Sequence, residues 1–444
     1  MTSFTSPLYR DLFGDPETAT LLDPAAELTA MIEVERALAR AQARCGMIPE
    51  AAGAAIDSQL KTYLPNPADL ATGTASAGVA VPALVAVLRD HLGAPGADYL
   101  HFGATSQDIV DSALMLRCAR LLALYETRLE TLIAALTGLA RAHAGTGMAG
   151  RTRTQTSTPI SFGLRAANWA RPLAIALARL RYLRRAGLPV QLGGASGDRS
   201  ILGRDGRQIA DALAAELGLA PSAPWMTDRH PIGDIAHVLS SLCTALGKIG
   251  ADVLIASRSE IGEIRLEGAG GSSTMPQKQN PVAAEAVIAL ARTASGLASL
   301  IGTNGIHAEE RDGAGWMEEW LVLPQLFAAS GATLLRAGEL IAALRPAPEA
   351  MTATLEASGG QLLAERLSFA LLPHLGRAGA QALVKRAAVT ARAEGTPLAA
   401  VVKALSDAPL DWATLADEAA GLQAAAAMTE EILAEIDATL ADET

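Results

Sequence analysis

Residues 122–139 read Leu122-Ala123-Leu124-Tyr125-Glu126-Thr127-Arg128-Leu129-Glu130-Thr131-Leu132-Ile133-Ala134-Ala135-Leu136-Thr137-Gly138-Leu139. Leu122, Tyr125, Leu129, Leu132, Leu136 and Leu139 recur at alternating spacings of three and four. That spacing keeps side chains on one face of an α-helix, and a sustained stripe of this kind is the seam of helices packed nearly parallel. Ile235, Leu239, Leu242, Leu246, Ile249 and Val253 repeat the pattern. Each stripe predicts a helix of about 30 residues, or ~45 Å at 1.5 Å per residue. Two more long helices are expected near 282–301 and 315–345. Asp23-Pro24 reads as an N-cap followed by a proline at the first helical position, opening a helix that runs through Glu35 and Leu38 and stops at Gly46. No repeated strand–helix–strand alternation occurs, so a dinucleotide-binding sheet is not expected. The expectation is an all-α protein built on a long-helix bundle.

Composition agrees with that fold and narrows the function. The chain has 444 residues, about three times a typical ~150-residue domain. Half of the residues are hydrophobic and only 19% are charged, which excludes an intrinsically disordered chain. Aromatics are 4%, and alanine and leucine dominate, a helix-favouring balance. The net charge of −11 argues against a nucleic-acid partner, which calls for a basic face. It leaves room for an anionic small substrate, because a pocket can be positive within a negative whole. Cys45, Cys118 and Cys243 are too few and too scattered for a disulfide scaffold, and no zinc-ligand spacing is present. No signal peptide and no run of ~20 uncharged apolar residues is seen, so the expectation is a cytoplasmic protein without a membrane span. Pro346-Ala347-Pro348 suggests a boundary, giving expected divisions at 1–109, 110–346 and 347–444, the last made of shorter helices.

Four loop-like stretches interrupt the helical pattern and carry groups suited to carboxylates. His101-Phe102-Gly103-Ala104-Thr105-Ser106-Gln107-Asp108 precedes the first long helix. Its hydroxyls and the free N–H groups of a helix N-terminus suit an anion, and the same residues would serve as plain helix caps. Gly150-Arg151-Thr152-Arg153-Thr154-Gln155-Thr156-Ser157-Thr158-Pro159 carries two arginines able to clamp a carboxylate, or is a solvated loop between helices. Gln191-Leu192-Gly193-Gly194-Ala195-Ser196-Gly197 lacks the spacing of a dinucleotide loop and reads as a tight turn. Gly268–Pro281 is a glycine-rich hinge leading into Ser272-Ser273-Thr274-Met275-Pro276-Gln277-Lys278-Gln279-Asn280-Pro281. Such a loop can close over a substrate and exclude water.

The order Gly-Ser-Ser-x-Met-Pro-x-Lys-x-Asn-Pro at 271–281 resembles the signature loop of the fumarase/aspartase superfamily. His101–Asp108 is similar to that family's first block and Gly150–Pro159 to its second, in the family's order along nearly the whole chain. The resemblance implies a three-domain all-α fold whose central long-helix bundle forms the core of a homotetramer. It also implies active sites shared among three subunits. Ser272 then matches the family's mobile catalytic serine, and Lys278 its partner in catalysis. His101, Thr105, Ser106, Gln155 and Asn280 match substrate-binding positions.

Two departures separate branches of the family. Members that cleave adenylosuccinate carry histidine where this chain has Arg153, and a His-Asp-Val run where it reads Ser76-Ala77-Gly78-Val79-Ala80-Val81-Pro82. The branch that cyclises 3-carboxy-cis,cis-muconate lacks the second-block histidine. It also resembles this chain at Gln191–Gly197, at Pro224-Trp225-x-Thr-x-Arg229, and at Glu310-Arg311 with Trp316 and Glu319-Trp320. That branch implies a tricarboxylate substrate held by Arg153, Lys278 and Arg311, with Arg229 a weaker fourth cation. It implies no metal or organic cofactor, because no redox change occurs. His307, Glu309 and Glu310 are expected at the rim of the site rather than around a metal.

Overall fold

The computed structural model describes residues 3–268, 270, 271, 275 and 278–441. Helices dominate it, and the described strands are six short segments in three two-stranded ribbons. The fourteen elements that matter here begin with α1 (Pro24–Arg44). There follow α2 (Ser106–Ala142), β1 (Gly147–Thr152), β2 (Gln155–Ser161), α3 (Phe162–Tyr182) and α4 (His230–Ala256). Then come β3 (Ile264–Leu266), β4 (Gly270–Gly271), β5 (Gln279–Asn280), α5 (Val282–Asn304) and α6 (Gly313–Ala343). The chain ends with β6 (Leu344–Pro346), α7 (Ala364–Glu394) and α8 (Glu418–Ala441). Shorter helices fill the intervals.

The two leucine stripes lie where their spacing puts them. Leu122, Tyr125, Leu129, Leu132 and Leu136 are buried along α2, with Leu139 half-buried. All six stripe residues of α4 are buried as well. Helix α1 opens on Asp23, whose carboxylate accepts the Ala25 N–H at 2.8 Å, and the chain turns at Gly46 with φ +72°. The tail contains a longer element than expected. Helix α7 spans 31 residues, but Gly376 (φ 64°, ψ 167°) interrupts it in a conformation open to glycine alone, so it acts as two shorter helices.

Contacts divide the chain into two units. The first comprises 1–129, 176–244 and 289–335, and the second 130–175, 245–288 and 336–444. In the first, Tyr125 donates its hydroxyl to the Phe327 carbonyl at 2.7 Å. The helices approach so closely there that a Cβ on Gly331 would meet Thr18 Oγ1 at 2.3 Å, so only glycine fits. Thr18 in turn bonds Asp15, which Arg128 clamps through Nη1 at 2.5 Å and Nη2 at 3.0 Å. Burial pushes the Asp15 carboxyl up, but the Arg128 and Thr18 bonds prevail and hold it below its ordinary value. In the second unit, Phe162 and Trp169 pack edge to face at 6.0 Å. Ribbon β3–β6 pairs Ile264 with Pro346, and Pro348 then begins a new helix.

Three helices, α4, α5 and α6, are long and apolar enough to cross a membrane by length and composition. This corrects the expectation that no segment would qualify, because α-helical spans tolerate a charge or two within the apolar window. The apolar windows of α4 and α6 are 44% and 61% buried inside the chain itself.

Candidate active site

The first block is held by one carboxylate. Asp108 sits on the first turn of α2, and its Oδ2 reaches back to accept the Thr105 N–H at 2.9 Å, as an acidic residue three past an N-cap does. The same side chain accepts the Gly193 N–H at 2.7 Å and the Gly194 N–H at 2.9 Å. Asp108 therefore joins the first block to the Gln191–Gly197 stretch. That stretch is a tight turn, with Gly194 and Gly197 at φ +71° and +83°. Burial pushes the Asp108 carboxyl up to about 6, against the pull of its three N–H donors.

Two residues selected from the sequence meet on this brace. Arg311 donates through Nη2 to Thr105 Oγ1 at 3.2 Å and to the Ala195 carbonyl at 3.1 Å. Its Nε donates to Gln107 Oε1 at 3.0 Å. Gln107 is fully buried, and its amide nitrogen is fixed on the Met226 carbonyl at 2.8 Å, so its oxygen has one orientation. Arg311 itself is exposed, with Nη1 free of protein partners among the described residues. Asp312 steadies the segment by accepting the Ala314 and Gly315 N–H groups at 3.0 Å each. Ser106 begins α2 half-buried beside Thr105. The result is a guanidinium, two hydroxyls and a helix N-terminus in one place, a set of donors suited to an anion.

His101 lies at the start of the block with φ 63°, and its Nδ1 is 2.6 Å from Glu35 Oε1. Burial pulls the imidazole down, but the Glu35 carboxylate prevails and its pKa is raised. Glu35 Oε2 is buried without a partner among the described residues. Sequence reasoning missed Glu35 and Gln107. Gln107 was within a quoted motif, whereas Glu35 carries no local signal at 66 residues from His101.

Arg229 is not a substrate cation. Its side chain is buried and fully engaged. Nη1 and Nη2 bond Asp111 at 2.7 and 3.2 Å, and Nε and Nη2 bond Glu319 at 2.8 and 2.6 Å. The guanidinium also lies 4.6 Å from the Trp225 ring centre. Trp316 adds an N–H bond to Asp111 at 3.0 Å. The expectation failed because Asp111 and Glu319 are far from Arg229 in sequence. Two carboxylates hold the guanidinium above its ordinary value despite burial, so it has no free edge for a ligand. His307 packs beside this cluster, with Nε2 at 3.6 Å from Glu319 Oε1.

The second block is a β-hairpin rather than an irregular loop. Strands β1 and β2 pair antiparallel, and Thr152 opposite Gln155 leaves Arg153-Thr154 as a two-residue turn. Both turn residues have positive φ, 50° and 70°. A tight hairpin of this twist demands that, but it normally takes Asn-Gly, and a β-branched threonine is strained there. Arg153 and Gln155 are exposed at the tip, and the Arg153 side chain has no partner among the described residues. Arg151 differs. It forms a two-pronged bond to the fully buried Glu263 at 2.7 and 2.8 Å and is a structural cation.

The signature loop is closed at its base, where Gly270 pairs with Asn280 and Gly271 with Gln279. Lys278 is exposed and Asn280 half-buried. Ser272 lies outside the described residues. The sequence-selected residues thus fall into two groups. His101, Thr105, Ser106 and Arg311 belong to the first unit, and Arg153, Gln155, Lys278 and Asn280 to the second.

Comparison with known proteins agrees with these motifs. A family profile described as lyase matches residues 20–296. The 3-carboxy-cis,cis-muconate cycloisomerase of Bradyrhizobium diazoefficiens is 37% identical over 411 residues, covering 91% of each chain. A nitrosuccinate lyase of Streptomyces davaonensis is 40% identical, covering 88% of this chain and 85% of its own. Among solved structures, the 3-carboxy-cis,cis-muconate lactonizing enzyme of Pseudomonas putida superposes with a TM-score of 0.87 at 33% identity, covering 98% of this chain and all of its own. With its long-helix fold and its three motif blocks in order, the chain belongs to the fumarase/aspartase lyase family.

Proposed function

We propose that the protein converts 3-carboxy-cis,cis-muconate to 4-carboxymuconolactone, a step in aromatic catabolism. The relatives named for this reaction support it. The observation that carries it is at position 153. Arginine stands at the strained hairpin tip with no side-chain partner among the described residues, in place of the histidine of the fumarase and adenylosuccinate-cleaving branches. A permanent cation there suits a third substrate carboxylate and cannot shuttle a proton at neutral pH.

In this reaction one terminal carboxylate oxygen adds to the carbon bearing the third carboxylate, forming the C–O bond of a five-membered lactone. The neighbouring carbon, next to the other terminal carboxylate, takes a proton, so atoms balance within one molecule plus that proton. Arg153, Arg311 and Lys278 hold the carboxylates. Thr105, Ser106, Lys278 and Asn280 donate to the charge that develops on the activated carboxylate. Gln155 orients the substrate, and His101 fixes the first block. Ser272 delivers the proton.

The protein works as a homotetramer in the cytosol, with each site drawn from several copies. The apolar window of α5, only 33% buried within the chain, supports such a neighbour. In that assembly 1–109, 110–346 and 347–444 act as three successive parts. A second reading, elimination from a substituted succinate with release of fumarate, is favoured by the nitrosuccinate lyase relative. One assay separates the two. Loss of the muconate diene absorbance with lactone formation supports the first, and fumarate release from succinyl substrates with no action on the muconate supports the second.

A further inference from the structure

The second unit holds a cleft of about 660 Å³ beside the β1–β2 hairpin. Arg151, Thr154, Arg165, Lys248, Asp252 and Arg258 line it. The charges do not cancel. Arg151 is neutralised by Glu263, and Lys248 pairs with Asp252. Arg165, on the first turn of α3, and Arg258, in the turn that follows α4, make no side-chain hydrogen bond or ion pair among the described residues. Two positive charges are left facing one cleft in a chain whose net charge is −11.

Arg165 makes the arrangement costly. It is half-buried, and burial pulls its guanidinium below the ordinary value. Asp252 and Glu263 oppose that pull from a distance, and Arg151 adds to it. A guanidinium removed from water without a protein carboxylate is unfavourable unless something else supplies the negative charge. Nothing in the reaction proposed above uses this residue.

We propose that Arg165 and Arg258 form an anion site in the second unit, taking a small dianion of the carboxylate or phosphate class. The half-buried Arg165 is the anchor, with a planar fork that matches either group in two-pronged fashion, and the exposed Arg258 supplies the second charge. The inference goes beyond the proposed cycloisomerase activity and stands or falls separately from it.

Calorimetric titration of the full-length protein at constant ionic strength tests it, with inorganic phosphate and succinate as separate titrants. The expected result is saturable binding of at least one titrant, weakened at least ~10-fold in Arg165→Gln, less in Arg258→Gln, and kept in Arg311→Gln. Which titrant binds names the ligand class. Arg165→Lys, which keeps the charge, should restore part of the affinity if the glutamine variant folds poorly. The proposal is overturned if neither anion binds, or if binding survives in Arg165→Gln and disappears in Arg311→Gln. It is also overturned if Arg165→Gln changes the oligomeric mass, because the arginine would then be meeting an acidic group of a second copy.

Discussion

The candidate residues of the first unit are braced and those of the second unit are exposed. Around Thr105, nearly every polar group is tied down. Asp108 holds two backbone segments, Gln107 fixes Arg311, and Arg229 is locked between Asp111 and Glu319. At the hairpin tip and the signature loop, Arg153 and Lys278 are exposed, and the backbone of Arg153-Thr154 is strained. The contrast divides the cations by task. Arg229 and Arg151 are used up on buried carboxylates and maintain the fold. Among the described residues, Arg153, Arg311 and Lys278 keep side-chain donors free for a ligand. Groups held in place like those around Thr105 set geometry without reorganisation at the moment of reaction.

The contrast can be sharpened by mutation, and Ser272→Ala should have the largest effect. Loss of the proton donor should lower kcat by ~10²–10⁴-fold in a steady-state assay with stability unchanged. Near-normal turnover would remove Ser272 from proton transfer. On the braced side, Arg229→Met leaves Asp111 and Glu319 buried without their counter-charge, and should cost about 3–5 kcal/mol in urea unfolding. A stability loss under 1 kcal/mol would mean that the cluster is not structural.

Asp108 gives the same side a pH signature. Its folded-state value of about 6 lies above that of a free carboxyl, so the folded protein binds the proton more tightly than the unfolded chain. Its contribution to stability therefore falls as pH rises from about 4 to 6, by on the order of 2–3 kcal/mol. Asp108→Asn should flatten the unfolding free energy across that window, and an unchanged slope would assign it elsewhere. Asp15 has the opposite sign, since its folded value is depressed and its stabilisation is lost as the protein is acidified.

Smaller effects are expected at the hairpin tip. Arg153→His should raise KM by ~10-fold with folding unchanged, the loss of one charge-assisted contact. Unaltered KM and kcat would mean that the side chain points away from substrate. Thr154→Gly should stabilise the protein by about 1 kcal/mol, by removing the Cβ from a left-handed conformation. A destabilised variant in thermal melts would show that this turn is not strained.

Which of these features the sequence revealed follows from where the signal resides. The helices of the two stripes were legible because three-and-four spacing is a local pattern with one geometric outcome. The signature loop was legible from the order of its residues. The hairpin at 147–161 was not, because Arg153-Thr154 has none of the Asn-Gly chemistry that marks such a turn. Arg229 was misread for a different reason. Its carboxylate partners lie 118 and 90 residues away, so nothing near it distinguished a buried ion cluster from a binding cation. The ties from Arg311 to Thr105 and Gln107 span more than 200 residues and depend on the fold. The motif had marked Thr105 and Arg311 separately without showing that they meet.

Arg153, Arg311 and Lys278 should together serve a tricarboxylate diene. The direct test follows the ultraviolet absorbance of 3-carboxy-cis,cis-muconate with purified protein. The expected result is rapid loss of the diene band, with 4-carboxymuconolactone as product and no fumarate. An intact oligomer that leaves the diene band unchanged would contradict it.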